Sequence, residues 1–153
     1  MERLHSDLKE LLGLFASNGV DYLVVGGHAV AFHGYPRFTE DLDCYVRPSA
    51  ENGARIVEAL REFGFGSLGI EAADFEASDR MIQLGRAPTR VDLLTNLYAV
   101  TFDDAWSRKA NGTIDGVAVW FIDRESLLRN KRATGRPQDL ADVDFIERLD
   151  ARG

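Results

Sequence analysis

Apolar residues recur at Leu8, Leu11, Leu12 and Phe15, a helical spacing that predicts an amphipathic helix over residues 2–17, stopped at Asn18-Gly19. Residues 20–25 form a short apolar run rich in β-branched side chains, the pattern of a buried strand. Gly26-Gly27 ends that run, residues 28–32 read as a short helix, and Gly34-Tyr35-Pro36 turns the chain. A second strand spans 41–46 and closes at Pro48. Ser49 is placed to cap the next helix, whose buried stripe is Ile56, Val57, Leu60 and Phe63. Residues 71–78 form a polar connection with no clear periodicity.

Later in the chain, 80–84 and 90–95 read as strands joined through Gly85-Arg86-Ala87-Pro88, spaced to pair as a hairpin. A helix is expected over 101–109, and a hairpin over 113–122 turning at Asp115-Gly116. Two helices follow, 124–132 and 137–149, with Pro137 at a first helical position. This order predicts an α+β fold with α/β character, a mixed β-sheet flanked by helices and finished by C-terminal helices. The late strands lie too close in sequence for crossover helices, which argues against a strictly parallel sheet. With 153 residues and no composition break, the expectation is a single domain, 1–153.

Composition changes the picture only in places. The formal charge of −7 argues against broad, sequence-independent nucleic-acid binding. Yet Arg124, Arg129, Lys131, Arg132 and Arg136 cluster against a single Glu125, a pattern that fits either a confined anion site or a solvated helix face. No apolar run approaches the ~20 residues that span a bilayer. The N-terminus lacks a basic-then-apolar leader, so the expected location is cytoplasmic, without a membrane. Cys44, the one cysteine, reads as a small core residue.

The chemistry begins at Asp41-Leu42-Asp43. Side chains two apart on a strand share a face, so these carboxylates would stand side by side and repel unless a cation joins them. Hard oxygen donors are what magnesium prefers. A lone D-x-D is also common on polar strand faces. Asp92 is a third acid, set inside the apolar strand Arg90-Val91-Asp92-Leu93-Leu94, where Asp is disfavoured. Its bland alternative is a surface position at a strand edge. Gly26-Gly27 lies between a strand and a helix start, where backbone N–H groups can meet phosphate, and it also fits a plain turn. Arg37 is a candidate phosphate fork and Thr39 a candidate backbone-ordering hydroxyl. Imidazole is not needed at an oxygen-ligand metal site, so His28 is expected to pack beside the glycine turn and His33 to hydrogen-bond locally. Trp106 and Trp120 are expected in the core or at a subunit contact.

Taken together, Gly26-Gly27, Arg37, Thr39, Asp41-x-Asp43 and the later Asp92 strand resemble the polymerase-β-like nucleotidyltransferase superfamily. The stretch G-G-H-A-x-x-x-H-G-Y-P-R-x-T-E-D-L-D and the segment from Asn130 to Asp139 resemble its small bacterial abortive-infection and toxin–antitoxin members. The resemblance implies a palm-like nucleotidyltransferase core and Mg²⁺-dependent, or Mn²⁺-dependent, transfer of a nucleoside monophosphate from a nucleoside triphosphate. The acceptor would be a hydroxyl on a tRNA, a protein or a small molecule. It implies Asp41 and Asp43 as adjacent metal ligands, and Asp92 as the acid near the metal that activates the acceptor. Gly26 and Gly27 would hold the β and γ phosphates. Lys131 would reach the triphosphate, with Asp139 orienting Lys131 or holding the late helices. Gly27 stands where many members carry Ser, removing one hydroxyl from the phosphate site. A homodimer or a partner toxin or antitoxin is expected to complete the acceptor site. The competing expectations are a non-catalytic toxin–antitoxin binding module and a metal-dependent phosphohydrolase.

The segment 124–132 also sets an expectation of its own. Leu127, Leu128 and Lys131 lie at i, i+3 and i+4 spacing, which aims Lys131 inward and leaves Arg129 and Arg132 on the surface.

Overall fold

The computed structural model describes residues 5–36, 39–86 and 88–152. The leucine stripe becomes α1 (Ser6–Ser17), with Leu8, Leu11, Leu12 and Phe15 fully buried. Burying each such side chain stabilises the fold by roughly 1.5–3 kcal/mol. The apolar run that follows contributes β1 (Tyr22–Val25), all four residues of which are buried. Helix α2 (Gly26–Phe32) starts at Gly26, two residues before the expected start, so Val25 ends the strand and flanks the helix directly.

Strand β2 (Leu42–Val46) begins one residue later than the sequence pattern implies, leaving Asp41 just outside it. Ser49 caps α3 (Ala50–Phe63), accepting the Asn52 N–H at 3.1 Å. Ile56 and Leu60 are buried, while Val57 and Phe63 pack partly covered against the core. The polar connection after α3 contains two short 3₁₀ turns, Gly66–Leu68 and Ala72–Phe75. The second is anchored by fully buried Phe75 and packs on α3, which orders a stretch without periodicity of its own.

Strands β3 (Met81–Leu84) and β4 (Val91–Leu94) pair antiparallel, as their spacing predicts. Ala87, in the connection between them, lies outside the described residues. Thr101 caps α4 (Phe102–Ser107). Strands β5 (Ala110–Ile114) and β6 (Val117–Phe121) form a hairpin that starts earlier than expected and turns through Asp115 and Gly116, both at positive φ. Helices α5 (Arg124–Thr134) and α6 (Pro137–Arg152) pack against each other.

The sheet order is β3-β4-β2-β1-β6-β5. Neighbours β1–β2, β3–β4 and β5–β6 are antiparallel, whereas β2–β4 and β1–β6 are parallel. The sheet is therefore mixed and the fold α+β, as expected. Each parallel pair joins strands separated by helices in the chain, which supply the long crossovers that parallel pairing requires. Burial is deepest in the central strands β1, β2 and β4 and lower in β3 at one edge and in β6 and β5 at the other, where Met81 and Trp120 are exposed. Among the described residues no helix is long and apolar enough to cross a membrane.

Candidate functional site

Two strand registers assemble the carboxylates. β2 runs parallel to β4 with Asp43 opposite Asp92, and β1 runs antiparallel to β2 with Val25 opposite Asp43. The residue after Val25 is Gly26, so the glycine turn stands against the carboxylate pair. A Cβ at Gly26 would overlap Asp43 Oδ2 and come within 3.1 Å of Asp43 Cγ. Gly26 also sits at φ 67, in the left-handed region. Only glycine satisfies both conditions without strain.

Asp92 is 6% exposed and Asp43 half-buried. They stand directly opposite each other on the paired strands. Burial, then the charges of Asp92 and Asp41, push the Asp43 carboxyl up to about 6, with Arg90 opposing. Two acids so close resist ionising together, and Asp43 gives up its proton later than an ordinary aspartate. Asp41 lies beside the strand start with its side chain 39% exposed.

Arg90 is the group the sequence reading did not place here. It lies two residues before Asp92, on the same face by strand alternation. Its Nε donates to Asp92 Oδ1 at 3.1 Å and its Nη2 to Asp92 Oδ2 at 3.0 Å, a two-pronged pairing. The same Nε lies 3.8 Å from Asp41 Oδ2. The strand alternation that placed Asp92 was a usable signal for Arg90 too. Among the described residues no three acids, histidines or cysteines close into a ready-made metal cage. Asp43 and Asp92 face each other across the strand pair, and Asp41 is linked to Asp92 through Arg90.

The donor set nonetheless fits a hard divalent cation. It consists of carboxylate oxygens, partly buried, where burial and mutual repulsion raise the Asp43 carboxyl and a bound cation would relieve both.

Thr39 flanks the glycine turn. Its hydroxyl donates to the Asp41 carbonyl at 3.3 Å, the backbone-ordering role expected of it. A Cβ at Gly27 would lie 2.8 Å from Thr39 Oγ1 and 2.9 Å from Thr39 Cβ. The space a serine would need at position 27 is thus filled by Thr39, and a hydroxyl is present beside the turn after all. Arg37, the candidate phosphate fork, lies outside the described residues.

Lys131 and Asp139 form a second cluster. Leu127, Leu128 and Lys131 are buried, whereas Arg129 and Arg132 are exposed, as the helical spacing predicts. The Lys131 ammonium lies 3.0 Å from Asp139 Oδ1 and 3.0 Å from Asp142 Oδ2, inside the α5–α6 seam. Asp139 also accepts from Thr134 at 2.6 Å and from Arg136 at 2.7 Å. Asp142, fully buried, accepts from Gln138 at 3.0 Å. Burial pushes the Asp139 carboxyl up, but the Thr134, Arg136 and Lys131 donors outweigh it and hold the group down at about 2. Asp142 went unnoticed in the sequence, although its i+3 spacing from Asp139 puts both acids on one side of α6.

Of the remaining expectations, His28 is buried beside the turn. His33 bonds to distant backbone rather than locally: its Nε2 lies 2.8 Å from the Ile122 carbonyl, tying the end of α2 to the end of β6. Cys44 is fully buried, and burial pushes its thiol well above the usual range, which keeps it unreactive. Trp106 is half-buried and Trp120 37% exposed. Trp106 packs against the core, stacked on Phe102, whereas Trp120 is exposed; the Lys109 ammonium lies 4.2 and 4.8 Å from their ring centres.

Residues 1–151 match a family described as nucleotidyltransferase of unknown function (DUF6036). The crystal structure of an antigenic nucleotidyltransferase-like protein from Paracoccidioides brasiliensis is similar in fold, with a TM-score of 0.53 at 18% identity. That likeness covers 95% of this chain and 78% of the other. No curated protein matches the sequence.

Proposed function

The chain belongs to the DUF6036 family of nucleotidyltransferases, and from that membership we propose that it transfers a nucleoside monophosphate from a nucleoside triphosphate to an acceptor hydroxyl, with Mg²⁺ or Mn²⁺ and release of pyrophosphate. The observation that carries this reading is the meeting of Asp43, Asp92 and Gly26 at one point of the sheet. Asp41, Asp43 and Asp92 would hold the divalent cation. Bound there, it would supply charge neutralisation on the reacting phosphate and acidify the attacking hydroxyl.

The chain's own groups do the rest. Gly26 and Gly27 bring bare backbone against the phosphates, with the Thr39 hydroxyl beside them. Asp92, opposite Asp43 and held by Arg90, would help activate the acceptor hydroxyl. The low exposure of Asp92 limits water around the reacting oxygen. The acceptor would be a tRNA, a protein or a small molecule, with a homodimer or a partner protein completing its site.

The test supplies the full chain with Mn²⁺ and each α-labelled nucleoside triphosphate in a cell lysate. Labelled acceptor together with pyrophosphate supports the reading; free phosphate as the product points instead to a phosphohydrolase. Asp43→Asn separates metal binding from folding. The amide keeps the shape of the carboxyl and removes the repulsion with Asp92, so the variant should fold at least as stably without metal and lose Mn²⁺ binding. A folded Asp43→Asn protein with wild-type Mn²⁺ affinity rules the site out.

A further inference from the structure

Arg90 lies across the mouth of the carboxylate cluster. Its guanidinium takes up both oxygens of Asp92, at 3.1 and 3.0 Å, and its Nε lies 3.8 Å from Asp41. Its side chain is 33% exposed while that of Asp92 is 9% exposed, so the cation sits on the solvent side of the acid. Its backbone is held, because the Arg90 carbonyl accepts the Leu42 N–H at 3.0 Å. The long side chain can therefore swing without moving either strand. A divalent cation reaching Asp92 meets oxygens that both prongs of the fork now hold, so guanidinium and metal compete for that carboxylate.

We infer that Arg90 is the resident counter-ion of this cluster, displaced when a divalent cation enters, and that the released guanidinium then contacts the phosphates of the incoming triphosphate. The inference rests on the proposed metal site and adds to it a residue with two alternating partners. In the metal-free protein Arg90 offsets part of the repulsion among the three acids. Once a cation carries that load, the guanidinium is free to turn towards the phosphates of a triphosphate held at the same carboxylates. Arginine suits both duties because one planar fork matches carboxylate and phosphate alike.

Two effects of opposite sign follow. Removing Arg90 removes the competitor, so Arg90→Ala should bind Mn²⁺ alone about tenfold more tightly than the natural chain, the loss of one charge-assisted contact. With Mn²⁺ saturating, the same variant should bind α,β-methylene nucleoside triphosphates about tenfold more weakly. Arg90→Lys keeps the charge without the fork and should fall between on both scales. Mn²⁺ binding is read by electron paramagnetic resonance of the free ion, and analogue binding by calorimetry with each of the four bases. A merely structural role, or a misfolded variant, would weaken both.

If Arg90→Ala binds Mn²⁺ no more tightly than the natural chain while Asp43→Asn loses binding, the counter-ion role is overturned and the metal site stands. Unchanged analogue affinity overturns the phosphate contact. If the natural chain binds no Mn²⁺ at all, the proposed metal site fails, and this inference falls with it.

Discussion

The Lys131 ammonium separates two roles for the basic segment, and Lys131→Met distinguishes them. In the structure this lysine is 7% exposed and lies 3.0 Å from each of two carboxylates, themselves 6% and 0% exposed. Methionine keeps much of the stem and deletes the charge. Asp139 would keep its bonds from Thr134 and Arg136, so its loss is limited. Asp142 would keep the Gln138 amide but lose its cationic partner in a fully buried position. Breaking a buried pair from one side costs about 3–5 kcal/mol, most of it the burden of the carboxylate left behind. For a chain of this length that corresponds to a fall in Tm of roughly 6–20 °C. Urea unfolding should show a lower midpoint with an unchanged slope, the mark of lost stability rather than an altered unfolded state. A double change, Lys131→Met with Asp142→Leu, replaces charge with apolar volume on both sides and should recover most of the loss. The reasoning is refuted if Lys131→Met unfolds within 1 kcal/mol of the natural chain. Should triphosphate affinity also fall in such a protein, the lysine serves the nucleotide instead of the helix seam.

Two further outcomes are expected. Gly26→Ala should cost about 1–2 kcal/mol from the left-handed backbone alone, and should weaken Mn²⁺ binding because its methyl displaces the Asp43 carboxylate; unaltered metal affinity in the folded variant would show that Asp43 is not a ligand. Acid should expose the Asp139 bonds: its carboxyl falls from 3.8 to about 2 on folding, so the unfolded chain takes up the proton first. The resulting stability, on the order of 2 kcal/mol, is complete above pH 4 and lost as pH falls towards 2. Urea midpoints measured across that window should drop in the natural chain and less steeply in Asp139→Asn, and parallel curves would contradict the assignment.

Periodicity along the chain determined whatever depends on near neighbours. The stripe of α1, the Ser49 cap, the turn at Asp115-Gly116 and the inward face of Lys131 are local regularities, readable because helices and strands repeat at fixed intervals. The D-x-D and the lone Asp92 could be singled out for the same reason, as charges at positions where the pattern calls for apolar side chains. What those charges face was not legible. Asp43 meets Asp92 only because β2 and β4, joined by α3 and the β3 hairpin, pair in parallel at one particular register. A shift of one residue would send the two carboxylates to opposite faces, and that register is fixed by packing between distant segments. Arg90 shared a face with Asp92 in any reading, but its reach to Asp41 appears only once the two strands lie side by side. Thr39 filling the space beside Gly27, and Asp142 sharing Lys131 with Asp139, likewise depend on close approach in three dimensions. Such approaches are settled by hydrogen bonding and burial across the whole sheet, which no window along the chain contains.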